Sequence, residues 1–350
     1  MPTAGSKVFG WKRQLRIRTD DDVTLCVERL PPKGVCCGAV ILCHGLSANG
    51  FVFDVPGHSL ARYLADHGYE CFIPDLRGAR YSGTPPKGWG LDDYIEQDLP
   101  AIFDLVRAQA LSPNIHWLGH SMGGLLFFMY ASEHPEVPIT RAVMVGSSLD
   151  YRVGYSVFRD LRAALPIARV LRELPFGKIT RLGSHLVGHV PTPIEKVNFH
   201  SANVDVDVIK SILSDCFGPL PTTLLSDLDS TFSEGGLSRR RGLLRYAELW
   251  ARYRFPTLLL AGAADVQCPI ESVDESARVL SHLHELRVLP FGKKFGHHDD
   301  YGHYDLIVGR NAPSEVWPRI IEWLQRDSHR VEQQSIENQN SAATATVASP

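Results

Sequence analysis

The chain has 350 residues, 44% of them hydrophobic, and a formal net charge of −3. A chain of this size can bury a large core, as one large domain or a core with an insertion. The near-neutral charge offers no broad basic surface and so argues against nucleic acid as a partner, and no apolar run approaches the ~20 residues of a membrane span.

Taken in chain order, Leu15, Ile17, Val23, Leu25 and Val27 alternate with polar residues around Asp20-Asp21-Asp22. That period predicts a β-hairpin. Residues 38–43 are a continuous apolar run, expected as a strand buried on both faces. A helix is expected over 59–67, ended by Gly68, then a strand over 70–75. Residues 92–110 predict an amphipathic helix with Ile95, Leu99, Ile102, Leu105 and Val106 on one stripe. A strand over 115–118, a buried helix over 122–131 and a strand over 141–146 follow.

From 150 to 254 the strand pattern stops. Short helical stretches are broken by Pro166, Pro175, Pro191, Pro193, Pro219 and Pro221. This predicts a helical cap laid over the core, its inner face made apolar by Leu161, Leu165, Ile167, Val170, Leu171 and Leu174. A strand over 257–262, a helix over 272–283, a strand over 286–289 and a helix over 314–325 complete the order. The polar tail 327–350 is expected to be disordered. The core is therefore 11–149 with 255–326, and the cap is 150–254. Strands alternating with helices imply a mostly parallel sheet with helices on both faces. In such sheets ligands sit at the carboxyl ends of the strands.

Gly119-His120-Ser121-Met122-Gly123 lies between the expected strand ending at 118 and the expected helix from 122. A strand, a sharp turn with serine at its apex and a helix make a nucleophile elbow. The strained turn leaves no room for a side chain two residues to either side, and Gly119 and Gly123 meet that need. Serine is a weak nucleophile and needs a base held in one tautomer by an acid. Asp265 follows the apolar run 258–264 and is placed to orient a histidine. The candidates for the base are His297, His298 and His303, all in the loop before the last helix. The Met122 N–H at the helix start is one oxyanion donor. The second is expected from His44-Gly45-Leu46-Ser47, where the Leu46 N–H is the candidate and His44 braces the loop.

Three stretches carry a family pattern. They are His-Gly-Leu-Ser-Ala-Asn…Pro-Gly-His-Ser-Leu-Ala-Arg-Tyr-Leu-Ala-Asp-His over 44–67, Gly-Tyr-Glu-Cys…Asp-Leu-Arg-Gly over 68–104, and Asp-Tyr-Gly-His-Tyr-Asp-Leu-Ile-Val-Gly-Arg-Asn-Ala-Pro-Ser-Glu-Val from 300. The chain resembles the α/β-hydrolases, and within them the acid lipases, the gastric and lysosomal lipases and their bacterial relatives. The resemblance implies the α/β-hydrolase fold with a cap insertion and places the catalytic histidine at His303. It spans the core but not residues 150–254. It implies a serine esterase or lipase-like enzyme acting on small lipophilic esters through Ser121, Asp265 and His303. The alternatives are an acyltransferase or thioesterase with the same three residues and, more distantly, a non-catalytic receptor. Related polyester synthases carry Cys where Ser121 stands, and epoxide hydrolases and dehalogenases carry Asp.

The family is largely secreted or lysosomal. Residues 1–10 lack the apolar stretch of a signal peptide, and seven cysteines, several in strand-like runs, read as reduced thiols. A cytoplasmic location is therefore expected. Cys36-Cys37 has no C-x-x-C partner, and adjacent His297 and His298 do not share a helix face, so no metal and no cofactor are expected. The basic cluster Arg239-Arg240-Arg241 with Arg245 reads as a solvated loop or helix face. Transient contact with a membrane or lipid surface is compatible with a lipophilic substrate. Nothing in the sequence sets the oligomeric state.

Overall fold

A computed structural model describes residues 12–162 and 171–326. The expected tail 327–350 lies outside them. The hairpin forms as β1 (Arg13–Arg18) and β2 (Thr24–Leu30). The apolar runs become β3 (Gly38–Cys43), β4 (Tyr69–Asp75), β5 (Ile115–His120), β6 (Arg141–Val145) and β7 (Thr257–Gly262), every residue of which is buried. With β8 (Leu286–Phe291) they form one eight-stranded sheet in the order β1-β2-β4-β3-β5-β6-β7-β8. The β1–β2 and β2–β4 pairs are antiparallel and the rest parallel. Burial on both faces is why these strands read as unbroken apolar runs rather than as alternation.

Ser59 caps α1 (Leu60–Asp66) by accepting from the Arg62 N–H. The amphipathic stretch after β4 starts as a helical turn at Leu91–Asp93, passes through a π-helical turn at Tyr94–Asp98 and continues as α2 (Leu99–Gln109). Ile95, Leu99, Ile102 and Val106 are buried, as the stripe requires. After β5 comes α3 (Met122–Glu133), buried nearly all round, which is why it shows no amphipathic period. Near the C-terminus the single expected helix is divided into Ala312–Glu315 and α9 (Trp317–Leu324). Pro318 lacks an N–H, so it fits the first turn of a new helix but not the middle of a continuous one. Between β7 and β8 lies α8 (Ile270–Val279).

The stretch 150–254, expected as the cap and called so below, contains α4 (Phe176–Ser184), α5 (Pro193–Asn198), α6 (Val206–Asp215) and α7 (Thr222–Asp229). Contrary to expectation it also holds strands. Glu173–Leu174 pairs with Leu220–Pro221, and Ser238–Arg239 pairs with Leu244–Arg245. Two-residue ladders have no period for a sequence to display. The cap stripe needs correcting too. Residues 163–170, and with them Leu165, Ile167 and Val170, lie outside the described residues, as does the side chain of Leu161. Leu171 is 51% exposed and does not face inward.

The basic cluster is likewise not a solvated face throughout. Arg239 is buried and ion-paired with Asp92 at 2.9 Å, Glu96 at 2.6 Å and Glu133. It thereby pins the cap to the helix after β4 and to α3. Only a charge so compensated can be buried. Arg240 shares Glu96, while Arg241 and Arg245 are exposed.

Candidate active site

The parallel sheet places the candidate residues at or after the carboxyl ends of β3, β5, β7 and β8. Ser121 follows the last residue of β5 and precedes the first of α3, at φ 55° and ψ −122°. That left-handed value is strained for a serine. It is held by the Ser121 N–H donating to Val145 O at 2.8 Å and by the Ser147 hydroxyl donating to Ser121 O at 2.8 Å. A Cβ on Gly119 would stand 2.4 Å from Gly124 N, and one on Gly123 would stand 2.3 Å from Cys43 O. Both elbow glycines are therefore required by backbone crowding.

Asp265 and His303 meet across the ends of β7 and β8. His303 Nδ1 is 2.7 Å from Asp265 Oδ2, with 2% and 5% of the two residues exposed. The other oxygen of Asp265 accepts the Gln267 and Cys268 N–H groups, each at 2.8 Å. One carboxylate thus closes its own turn and receives the Nδ1–H of His303, which leaves Nε2 as the free lone pair. Gly146, at φ 56°, makes room for the pair: a Cβ there would lie 3.1 Å from His303 Nδ1 and 3.2 Å from Asp265 Oδ2. His297 instead packs on Phe291, and His298 is exposed with its N–H on Glu315.

Met122 is the first residue of α3, so its N–H has no acceptor within the helix. Leu46 lies in a turn closed by Ala48 N–H donating to Gly45 O at 3.2 Å, with Ser47 at φ 56°. A Cβ on Gly45 would stand 3.0 Å from Ser121 Cβ, so this turn passes directly beside the serine. His44 braces it. Its Nε2 accepts the Leu76 N–H at 3.1 Å, which fixes the proton on Nδ1, and that donates to Gly45 O at 2.9 Å. Burial lowers its pKa to about 4, so the ring stays neutral.

Ser121, Met122, Leu46 and His303 line a cavity of about 430 Å³. Its walls are mostly apolar and include Leu125 from the core and Phe158, Leu174, Phe176, Phe217 and Phe232 from the cap. Among the described residues of the expected cap stripe, Leu174 is found on this wall and Leu171 is not. The aromatic residues are scattered along the chain and carried no periodic signal. An ion pair between Arg162 and Asp229 also faces the cavity.

A model of the α/β hydrolase fold matches residues 38–184. The chain is 33% identical over 341 residues to Lipase member K of Mus musculus, covering 86% of this chain and 82% of that protein. The chain belongs to the α/β-hydrolase family. Within it the chain resembles the acid lipases, and a second relative is Triacylglycerol lipase 1 of Arabidopsis thaliana, 23% identical with 88% of this chain and 86% of that one covered. Among solved structures, the monoacylglycerol lipase of Paleococcus ferrophilus superposes with a TM-score of 0.60 at 18% identity, over 86% of this chain and 98% of that one. An esterase from Thermogutta terrifontis gives 0.61 at 19% identity, over 90% and 98%. At those identities they speak for the fold alone.

In this hydrolase several residues around the site escaped sequence reasoning. The buried His120 donates from Nε2 to His303 O at 3.1 Å, and burial holds its pKa well below the usual histidine value. The cap is tied to both sides of the site. On one side the Ser47 hydroxyl donates to Gly218 O at 2.7 Å, and the Gly218 N–H returns a bond to Ser47 O at 2.7 Å. On the other, Tyr304 N–H donates to Asn198 O, and Gln267 Nε2 donates to Val197 O.

Asp305 completes that second tie. It is fully buried and accepts the Gly302 N–H at 2.9 Å and the His200 N–H at 3.1 Å. Burial pushes its carboxyl up to about 8, against the pull of those amides. An unfolded aspartate titrates near ~3.9. The folded chain therefore holds a proton at Asp305 that the unfolded chain releases. This contribution to stability is fully present below pH ~4 and is lost as pH rises through about 8. Asp305→Asn is expected to flatten the fall in unfolding free energy between pH 5 and 8, read from urea midpoints. Parallel curves for variant and wild type would contradict this assignment.

Proposed function

We propose that this carboxylic ester hydrolase cleaves esters of lipophilic substrates through an acyl-enzyme on Ser121. Ser121 Oγ attacks the ester carbonyl while His303 Nε2 takes its proton. The tetrahedral oxyanion forms beside the Leu46 and Met122 N–H groups, and the positive end of α3 adds to their effect. As the C–O bond breaks, His303 returns the proton to the departing alkoxide. Water then gives a proton to His303 and its hydroxyl to the acyl carbon, and as the Ser121 Oγ–acyl bond breaks His303 passes that proton to Oγ, so the acid leaves with Ser121 and His303 restored. Asp265 holds the Nδ1 tautomer and stabilises the imidazolium. No step calls for a cofactor.

The observation that carries this reading is the buried Asp265–His303 pair at 2.7 Å, with its histidine on the same cavity as a serine in a strained elbow. A fluorophosphonate probe should label the full chain once, and peptide mapping should find the adduct on Ser121. Labelling elsewhere, or none, would overturn it. In the same preparation, acyl-CoA thioesters and added alcohols test the thioesterase and transferase alternatives. A preference for an alcohol over water as acceptor would replace hydrolysis by transfer.

The apolar cavity also sets a chain-length expectation. Each CH₂ buried should gain up to about 0.8 kcal/mol, roughly fourfold in kcat/KM, until the cavity is full. Among p-nitrophenyl esters, medium-chain acyl groups are expected to exceed acetate. A series in which acetate is best and each added carbon slows the reaction would contradict this.

A further inference from the structure

Most polar side chains on the wall of the active cavity spend their hydrogen bonds on the protein itself. The Ser47 hydroxyl serves Gly218 O and Pro219 O, and the Thr231 hydroxyl serves Leu228 O. Asn198 Nδ2 donates to Ile194 O, and Gln267 Nε2 donates to Val197 O and Asn198 Oδ1. Arg162 and Asp229 differ. Arg162 Nε donates to Asp229 Oδ1, and its Nη2 lies 3.4 Å from Oδ2. Among the described residues Nη1 finds no acceptor, so its N–H groups are unspent, and each oxygen of Asp229 keeps a lone pair. The two side chains are 37% and 21% accessible, so a ligand in the cavity can reach both.

The helices give no reason for this pair. Asp229 is the last residue of α7, where a carboxylate opposes the helix dipole. Arg162 follows the short helix Phe158–Leu161, and its guanidinium carbon lies 5.5 Å from the ring centroid of Phe232. Phe158, Leu228 and Phe232 make the surrounding wall apolar. An alkyl chain laid against an ion pair in such a wall desolvates it and returns nothing. A group that hydrogen-bonds to the pair recovers that loss. Charge decides which group. A carboxylate brought to Arg162 also meets the carboxylate of Asp229, and an ammonium brought to Asp229 also meets Arg162. An uncharged hydroxyl both accepts and donates, so it can take an N–H from Nη1 and give its own proton to Asp229.

We propose that Arg162 and Asp229 form a subsite that selects esters carrying an uncharged hydroxyl group away from the scissile bond. The inference rests on the proposed hydrolysis at Ser121 and names the class of ester it takes. A hydroxyl on the acyl chain and one on the alcohol present the same chemistry to the pair.

The test is the ratio of kcat/KM for a hydroxylated ester to that for its unsubstituted partner. On the acyl side, p-nitrophenyl ω-hydroxyhexanoate and ω-hydroxydecanoate are set against the hexanoate and decanoate. On the alcohol side, ω-hydroxyhexyl butyrate and glycerol monobutyrate are set against hexyl and propyl butyrate. In the wild type the hydroxyl should gain about tenfold in the series that reaches the pair, the scale of a net hydrogen bond to a charged group. The series that gains assigns the hydroxyl to the acyl chain or to the alcohol. Arg162→Met with Asp229→Leu should remove the preference. Each ratio compares two substrates on one protein, so partial unfolding of a variant leaves it unchanged. Asp229→Asn leaves the guanidinium uncompensated. It should accept the p-nitrophenyl half-ester of suberic acid, relative to the octanoate, about tenfold better than the wild type does. An ion pair that merely braces the cap would move neither ratio. A wild type that hydrolyses the unsubstituted esters without preferring the hydroxyl in either series would overturn the proposal. So would wild-type ratios throughout in Asp229→Asn. A wild type that hydrolyses none of these esters would remove the proposed function, and this inference with it.

Discussion

Ser121→Ala is expected to lower kcat for any ester substrate by about 10⁶-fold, the scale on which serine hydrolases of unrelated fold lose their nucleophile. The variant should still fold. Ser121 holds its place through backbone bonds to Val145 and from Ser147, which do not involve its own hydroxyl. At φ 55° alanine carries about the same strain as serine, because both have a Cβ. Unfolding midpoints should therefore coincide within error while turnover vanishes. The residual rate should come from the cavity and the oxyanion donors alone. Turnover near the wild-type level would move the nucleophile elsewhere, with Ser47 the nearest alternative. Ser47, however, spends its hydroxyl on Gly218 O and Pro219 O.

Asp265→Asn is expected to cost about 10⁴-fold in kcat with little change in KM. An amide in this position keeps the size of the carboxyl, and its oxygen can still accept the Gln267 and Cys268 N–H groups. Its NH₂ then faces His303 Nδ1 in place of Oδ2. Two donors cannot share that contact, so the proton moves to Nε2 and the lone pair is turned away from Ser121. His303→Ala should fall as far as Ser121→Ala, whereas His297→Ala and His298→Ala should be mild. The test is kinetic and includes the double variant. If Ser121, Asp265 and His303 act as one unit, Ser121→Ala with His303→Ala should be no slower than either alone. Additive losses, or an active His303→Ala with an inactive His297→Ala, would contradict the assignment.

The amino-acid sequence alone determined those features that follow from local rules. Residues 38–43 and 257–262 are continuous apolar runs because their strands are buried on both faces, so strand type and rough bounds could be read directly. The elbow was equally legible, since the demand for glycine at 119 and 123 comes from backbone atoms only a few residues away or on the adjoining strand. Whatever depends on partners distant in the chain was not. Asp265 could be read as an acid placed to orient a histidine, but the residues alone left His297, His298 and His303 open, and only the parallel pairing of β7 with β8 brings Asp265 to His303, 38 positions later. Arg239 resembled a solvated charge until tertiary structure supplied Asp92, Glu96 and Glu133 from two other elements. The cavity wall draws Phe158, Phe176, Phe217 and Phe232 from separate short segments, so no period announces it. In α4 Thr180 and Ser184 are buried while Ile179 and Leu182 are exposed, an outcome the sequence period does not announce. A hydrophobic pattern tells which residues share a face, but only packing against α6 decides which face is covered.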